Sequence, residues 1–96
     1  MPAPQADRDL MEAVGERLRL SRQALGLSQV DFAQRAGIAA NTYNQYERGR
    51  KLPSIANANA LCDAHGLTLD WLFRDDASNL AYKLASAIQA IKAARG

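Results

Sequence analysis

An all-α fold follows from three features of the chain. Apolar residues recur at three- and four-residue intervals through most of its length, glycines fall where those runs stop, and no stretch alternates β-branched with polar residues. Hydrophobic residues fill 48% of the 96 positions, enough for one modest core but not two. One domain is therefore expected, with no separate ligand-sensing unit.

Six helices are expected. Residues 1–8 read as a flexible arm, disordered over residues 1–6. The first helix runs from about Asp9 to Leu25, with Leu10, Met11, Val14, Leu18 and Leu25 on one stripe and Gly26 closing it. The second opens at Ser28, whose hydroxyl can accept an exposed amide, with Asp31 completing an approximate capping box. It buries Phe32, Ala33 and Ala36, and Gly37 redirects the chain so that Ile38 tucks inward. The third starts near Ala40. The fourth follows Pro53 with Ser54 as its cap, burying Ile55, Ala58, Leu61 and Cys62 and ending at Gly66. Thr68 caps a short fifth helix carrying Leu69, Trp71, Leu72 and Phe73, with Trp71 as a core anchor. After a polar break at Asp75, Asp76 and Ser78, a last helix spans Asn79 to Ala94.

The third helix divides into two faces when successive residues are turned by about 100°. Ala39, Tyr43 and Tyr46 fall together on one side, and Asn41, Asn44, Gln45 and Arg48 on the other. Side-chain amides match the N6 and N7 edge of adenine, and arginine matches guanine O6 and N7. Taken without its surroundings, such a face also suits an ordinary solvated helix. Two short helices meeting at a glycine are, in addition, a device for entering the DNA major groove. The two tyrosines point inward, which argues against base stacking.

Formal charge is only +2, but it is unevenly distributed. Residues 1–16 carry −3, residues 17–51 carry +5, residues 52–76 carry −3 and residues 77–96 carry +3. Excess positive charge thus gathers around the paired helices, where phosphates would be met. The chain has no apolar run of membrane-spanning length, and MPAPQAD lacks the basic start and hydrophobic segment of an export signal. A cytoplasmic location is expected, and the lone Cys62 fits a reducing compartment.

Cys62 and His65 stand three apart on the fourth helix, a spacing that suits two metal ligands. Both fall on its apolar stripe, and a structural metal site needs about four ligands, so no metal is expected. The single histidine has no acid, nucleophile or oxyanion loop arranged around it, and the sequence has no Gly-rich phosphate loop. Neither an enzyme nor a cofactor is predicted.

Five segments together resemble the Xre-type helix-turn-helix family of phage repressors and Cro-like proteins: VGERLR, GLSQ, FAQRAG, YERGRKLPS and HGLTLDWLF. They keep that family's order and spacing over about residues 14–74. The resemblance implies a compact five-helix repressor-like DNA-binding domain over residues 9–76, plus an additional C-terminal amphipathic helix over residues 77–96. It implies that Ala40, Asn41, Asn44 and Gln45 read bases, while Gln29, Thr42, Arg48, Arg50 and Lys51 meet phosphates. Glu47 would form a structural ion pair with Arg22. Two positions depart from the family: Ala39 stands where a Ser or Thr cap is usual, and Ala40 where a polar reader is usual.

The last helix carries Leu80, Leu84, Ala87, Ile88, Ile91 and Ala94 on one stripe, which must be buried either on its own domain or by a second subunit. The expectation is a homodimer interface built from Leu80, Leu84, Ile88 and Ile91, together with a Leu20 patch that lies with Ala13 and Ala24 off the core stripe. The function expected is sequence-specific binding of double-stranded DNA, as a repressor on near-palindromic operators. Alternatives are an antitoxin that binds a toxin protein and regulates its own promoter, or a restriction-modification controller.

Overall fold

The computed structural model describes residues 4–95. They form α1 (Gln5–Ala24), α2 (Gln29–Arg35), α3 (Ala40–Glu47), α4 (Ile55–His65), α5 (Leu69–Arg74) and α6 (Tyr82–Arg95), with no strand among the described residues. The packed body measures 41 × 29 × 22 Å. α1 is its axis, touching α3, α5 and α6.

α1 begins four residues earlier than the apolar pattern indicates. Its first turn is held by surface polar groups: Gln5 Nε2 donates to Asp9 Oδ1 at 2.8 Å and Arg8 Nη2 donates to Gln5 Oε1 at 2.7 Å. Asp7 in the same turn favours the positive end of the helix. Residues 5–8 of the expected arm are therefore helical, and residues 1–3 lie outside the described residues.

Ser28, Ser54 and Thr68 each accept the amide three residues on, from Asp31, Asn57 and Trp71 respectively, at 3.0–3.1 Å. Gly37, at φ 71°, permits the closure that ends α2. The Ile38 amide donates to Ala33 O at 2.9 Å and the Gly37 amide to Gln34 O at 3.0 Å, turning the chain so that Ile38 packs inward. α3 starts without a side-chain cap at Ala39.

The core gathers Val14, Leu18, Phe32, Tyr43, Leu61, Trp71 and Leu72. The His65 ring stacks on Phe32 with centroids 3.7 Å apart, and its Nε2–H donates to Phe32 O at 2.8 Å. Burial holds this imidazole below its ordinary pKa, in keeping with a neutral ring. Ile55, expected inside, is 82% exposed. Ala58, Leu61 and His65 define the buried side of α4, and at about 100° per residue Ile55 lies roughly a quarter-turn away from it. Leu69 is likewise exposed.

The stripe of α6 is covered by its own domain, correcting the expectation that it faces a second copy. Leu80, Leu84 and Ile88 are buried in the core cluster and Ile91 packs partly against it. Leu20 is only 3% exposed, because α6 lies against α1 and covers the face expected to remain open. Leu80 itself precedes the helix: the Ser78 amide donates to Asp76 Oδ1 at 2.9 Å and the Leu80 amide to Ala77 O at 3.1 Å, forming turns that delay α6 to Tyr82.

Ile88→Ala should therefore destabilise the domain by about 2–4 kcal/mol through the lost burial and the cavity left behind. Denaturant titration checks this. A loss below about 0.5 kcal/mol would mean that the domain itself does not bury Ile88.

Candidate nucleic-acid interface

Side-chain chemistry splits α3 along its length. Tyr43, Tyr46 and Glu47 are buried, Ala40 and Asn41 are exposed, and Thr42, Asn44 and Gln45 are half-buried at the boundary. Tyr43 packs tilted against Phe32 at 5.2 Å between centroids, and Tyr46 meets Tyr43 edge-on at 6.5 Å. Neither ring is available to stack on a base. The Tyr46 hydroxyl accepts from Asn57 Nδ2 at 2.8 Å, tying α3 to α4.

Glu47 organises the inner side. Its carboxylate accepts from Arg22 Nε at 2.7 Å and Arg22 Nη2 at 3.1 Å, from Gln29 Nε2 at 3.0 Å, and from the Tyr43 hydroxyl in a short contact. Arg19 adds a second guanidinium 3.7 Å away. Arg22 also donates to Leu27 O at 3.1 Å, so the same side chain braces the loop before α2. Burial alone would raise the Glu47 pKa; donors from Arg22, Tyr43 and Gln29, with the Arg22 charge, outweigh it and hold the carboxyl below its ordinary range. Burial and the adjacent carboxylate push the Tyr43 phenol far up, so it stays a donor.

Gln29, at the first position of α2, is drawn into this network, and its Oε1 accepts from Asn44 Nδ2 at 3.1 Å. Two residues expected on the nucleic-acid face thus hold each other. Arg48, Arg50 and Lys51 follow α3 on the exposed surface, and with Arg35 they form no salt bridge among the described residues. The basic segment is thereby narrowed. Of its seven cations, Arg19 and Arg22 face Glu47, while Arg17 donates to Leu72 O at 2.9 Å and lies 3.6 Å from Asp75.

Three positions outside the expected site support its shape. Gly15 lies where α1 crosses the end of α3, and a Cβ there would collide with Tyr46 O and come within 2.8 Å of Glu47 O. A glycine inside a helical pattern was the sequence signal for that close approach. Arg19 stands three residues before Arg22 on the same helix, the spacing that lets both reach one carboxylate. Ser21, fully buried, donates to Arg17 O at 2.7 Å and accepts from Trp71 Nε1 at 2.9 Å. Its small hydroxyl satisfies the indole where an apolar residue would leave the N–H without a partner.

Cys62 is half-buried, its thiol held above the ordinary range by burial and by Asp63. Among the described residues, no group of three or more His, Cys, Asp or Glu is placed to hold a metal ion. Among the described residues, no helix is long and apolar enough to cross a membrane.

Comparison with known proteins matches residues 18–72 to the Helix-turn-helix family. Relatives include the cryptic phage CTXphi transcriptional repressor RstR of Vibrio cholerae serotype O1, 34% identical over 62% of this chain and 53% of the relative. An uncharacterized transcriptional regulator in the ATPase CF(0) region of Rhodospirillum rubrum is 36% identical over 65% of this chain and 57% of the relative. The uncharacterized HTH-type transcriptional regulator YazB of Bacillus subtilis is 34% identical over 64% of this chain and 88% of the relative. The chain thus spans just over half the length of the first two. No solved structure matches at comparable significance.

Because the Glu47 pKa is depressed in the folded chain, the unfolded chain takes up this proton first on acidification. The stabilisation is complete above the ordinary carboxylate value of 4.5 and is lost as pH falls through it toward the folded value. Glu47→Gln should cost about 3 kcal/mol at pH 7, leaving the partly buried Arg22 without its counter-charge. It should then lose less stability than wild type between about pH 5 and 3. Urea titrations across that range check both expectations.

Proposed function

The chain belongs to the helix-turn-helix family, and from that premise we propose that it is a transcriptional regulator reading double-stranded DNA by sequence. It acts as a repressor by occupying its site as a homodimer on near-palindromic DNA. The observation that carries this reading is the division of α3, whose inner face is fastened to the core while amides line its outside and three cations without a salt bridge among the described residues follow it. That is the arrangement a groove-reading helix needs. RstR, a relative of this chain, is itself described as a phage transcriptional repressor.

On this reading Asn41, Gln45 and Asn44 meet base edges, and Ala40 offers a methyl to thymine or makes no contact. Gln29 and Thr42, with Arg48, Arg50 and Lys51, meet the phosphates on either side and set the register. One short helix covers too few base pairs to find a site in a genome, which favours two copies related by a twofold axis.

Selection from a random duplex pool should return a near-palindrome with half-sites about 10 bp apart. Asn41→Ala and Gln45→Ala should each relax one base preference, by about 1–3 kcal/mol of discrimination. Unchanged preference in both variants overturns the assigned readers. Affinity should fall on the order of a thousandfold between 50 and 200 mM salt. Sedimentation of the full chain with its selected duplex should give two copies per site, and one copy per site would overturn the twofold reading.

A further inference from the structure

Gln29 has both ends of its amide engaged, and the order in which they are engaged is dictated by Glu47. A carboxylate flanked by Arg22 and Arg19 offers only acceptors, so the Gln29 nitrogen must face it. An amide turns as a unit. Gln29 Oε1 therefore points the other way, where it can accept only from a donor, and Asn44 supplies Nδ2 at 3.1 Å. The same constraint then acts on Asn44. With its nitrogen drawn to Gln29, its Oδ1 has no side-chain partner among the described residues and, since none of their buried side-chain polar atoms is unpaired, is open to solvent.

We propose that Glu47 and Gln29 fix the direction in which Asn44 presents its amide. Asn44 thereby offers an acceptor to an exocyclic base amine, adenine N6 or cytosine N4. This deepens the reading of α3 as a DNA-reading helix and rests on it. An outward acceptor is mismatched to phosphate oxygens, which accept and do not donate, and is matched to a base amine in the major groove. Asn41 is different. It is exposed and has no side-chain hydrogen bond among the described residues, so its amide is free to present either end. Gln29 acts here as a positioning residue, in addition to any contact it makes with the backbone.

The test uses the full chain and the duplex recovered by selection. The base pair whose preference disappears in Asn44→Ala is identified first. Its adenine is then replaced by purine, or its cytosine by 2-pyrimidinone, which removes only the exocyclic amine. Wild type should bind the amine-less duplex about tenfold more weakly than the parent, and Asn44→Ala should bind both equally. Gln29→Met should weaken binding to every duplex and also lose the distinction between these two. A purely phosphate-gripping or structural role for Gln29 would leave that distinction intact, so retained tenfold discrimination in Gln29→Met overturns the relay. Equal affinity of wild type for the two duplexes, or an Asn44→Ala variant with no altered base preference, overturns the outward acceptor. If circular dichroism finds Gln29→Met unfolded, the comparison of wild type with Asn44→Ala still decides the polarity. A wild-type protein that selects no sequence at all would instead defeat the DNA-reading function itself.

Discussion

Burying a carboxylate inside a small helical domain obliges the chain to surround it with donors, and the placement of those donors sets much of what else is possible here. Glu47 is 4% exposed and sits on the last turn of α3. Its partners come from three helices: Arg22 and Arg19 from α1, Gln29 from α2 and Tyr43 from α3. Arg22 extends the bracing to the loop before α2 through Leu27 O. One group thus holds both helices of the paired motif against the axis of the domain. An isolated buried charge would be strongly destabilising, and here each acceptor position is filled. The cluster also orders the surface, because the amides it draws inward are those at the edge of the outer face.

Helices with their own punctuation could be read directly from the chain. Ser28, Ser54 and Thr68 each announce a start, Gly37 and Gly66 each mark an end, and the four middle helices lie within a residue or two of the pattern. The ends of the chain were less legible, for physical reasons. The first turn of α1 is stabilised by polar pairs on the surface and has no apolar periodicity to betray it. Ile55 looks like a core residue by type, but the rotation of its helix carries it outward. In the candidate site, the inner residues could be inferred from spacing and from family resemblance. The hydrogen bond between Gln29 and Asn44 could not, since it depends on how the buried carboxylate turns the Gln29 amide between two successive helices.

The fate of α6 was open for a related reason. An amphipathic stripe says that a surface must be covered and not what covers it. Leu20 was the missing partner: it turns away from Val14 and Leu18, and α6 lies over it. α1 is consequently packed on two sides, by the paired-helix core and by the C-terminal helix. Ser21 lies between these demands, receiving Trp71 Nε1 from α5 while its own hydroxyl turns back to Arg17 O. The apolar surface that would serve a second copy is correspondingly reduced.

Where α1 passes Gly15, it meets the end of α3 main chain against main chain, with no intervening side chain to compress or rotate. Side chains have alternative rotamers; peptide carbonyls in a helix do not. The tilt of α3 is therefore as stiff as the backbone itself. If a duplex docks here, the strain of any imperfect fit must fall on the nucleic acid, so base steps that bend or untwist easily would be favoured even at positions no side chain reaches.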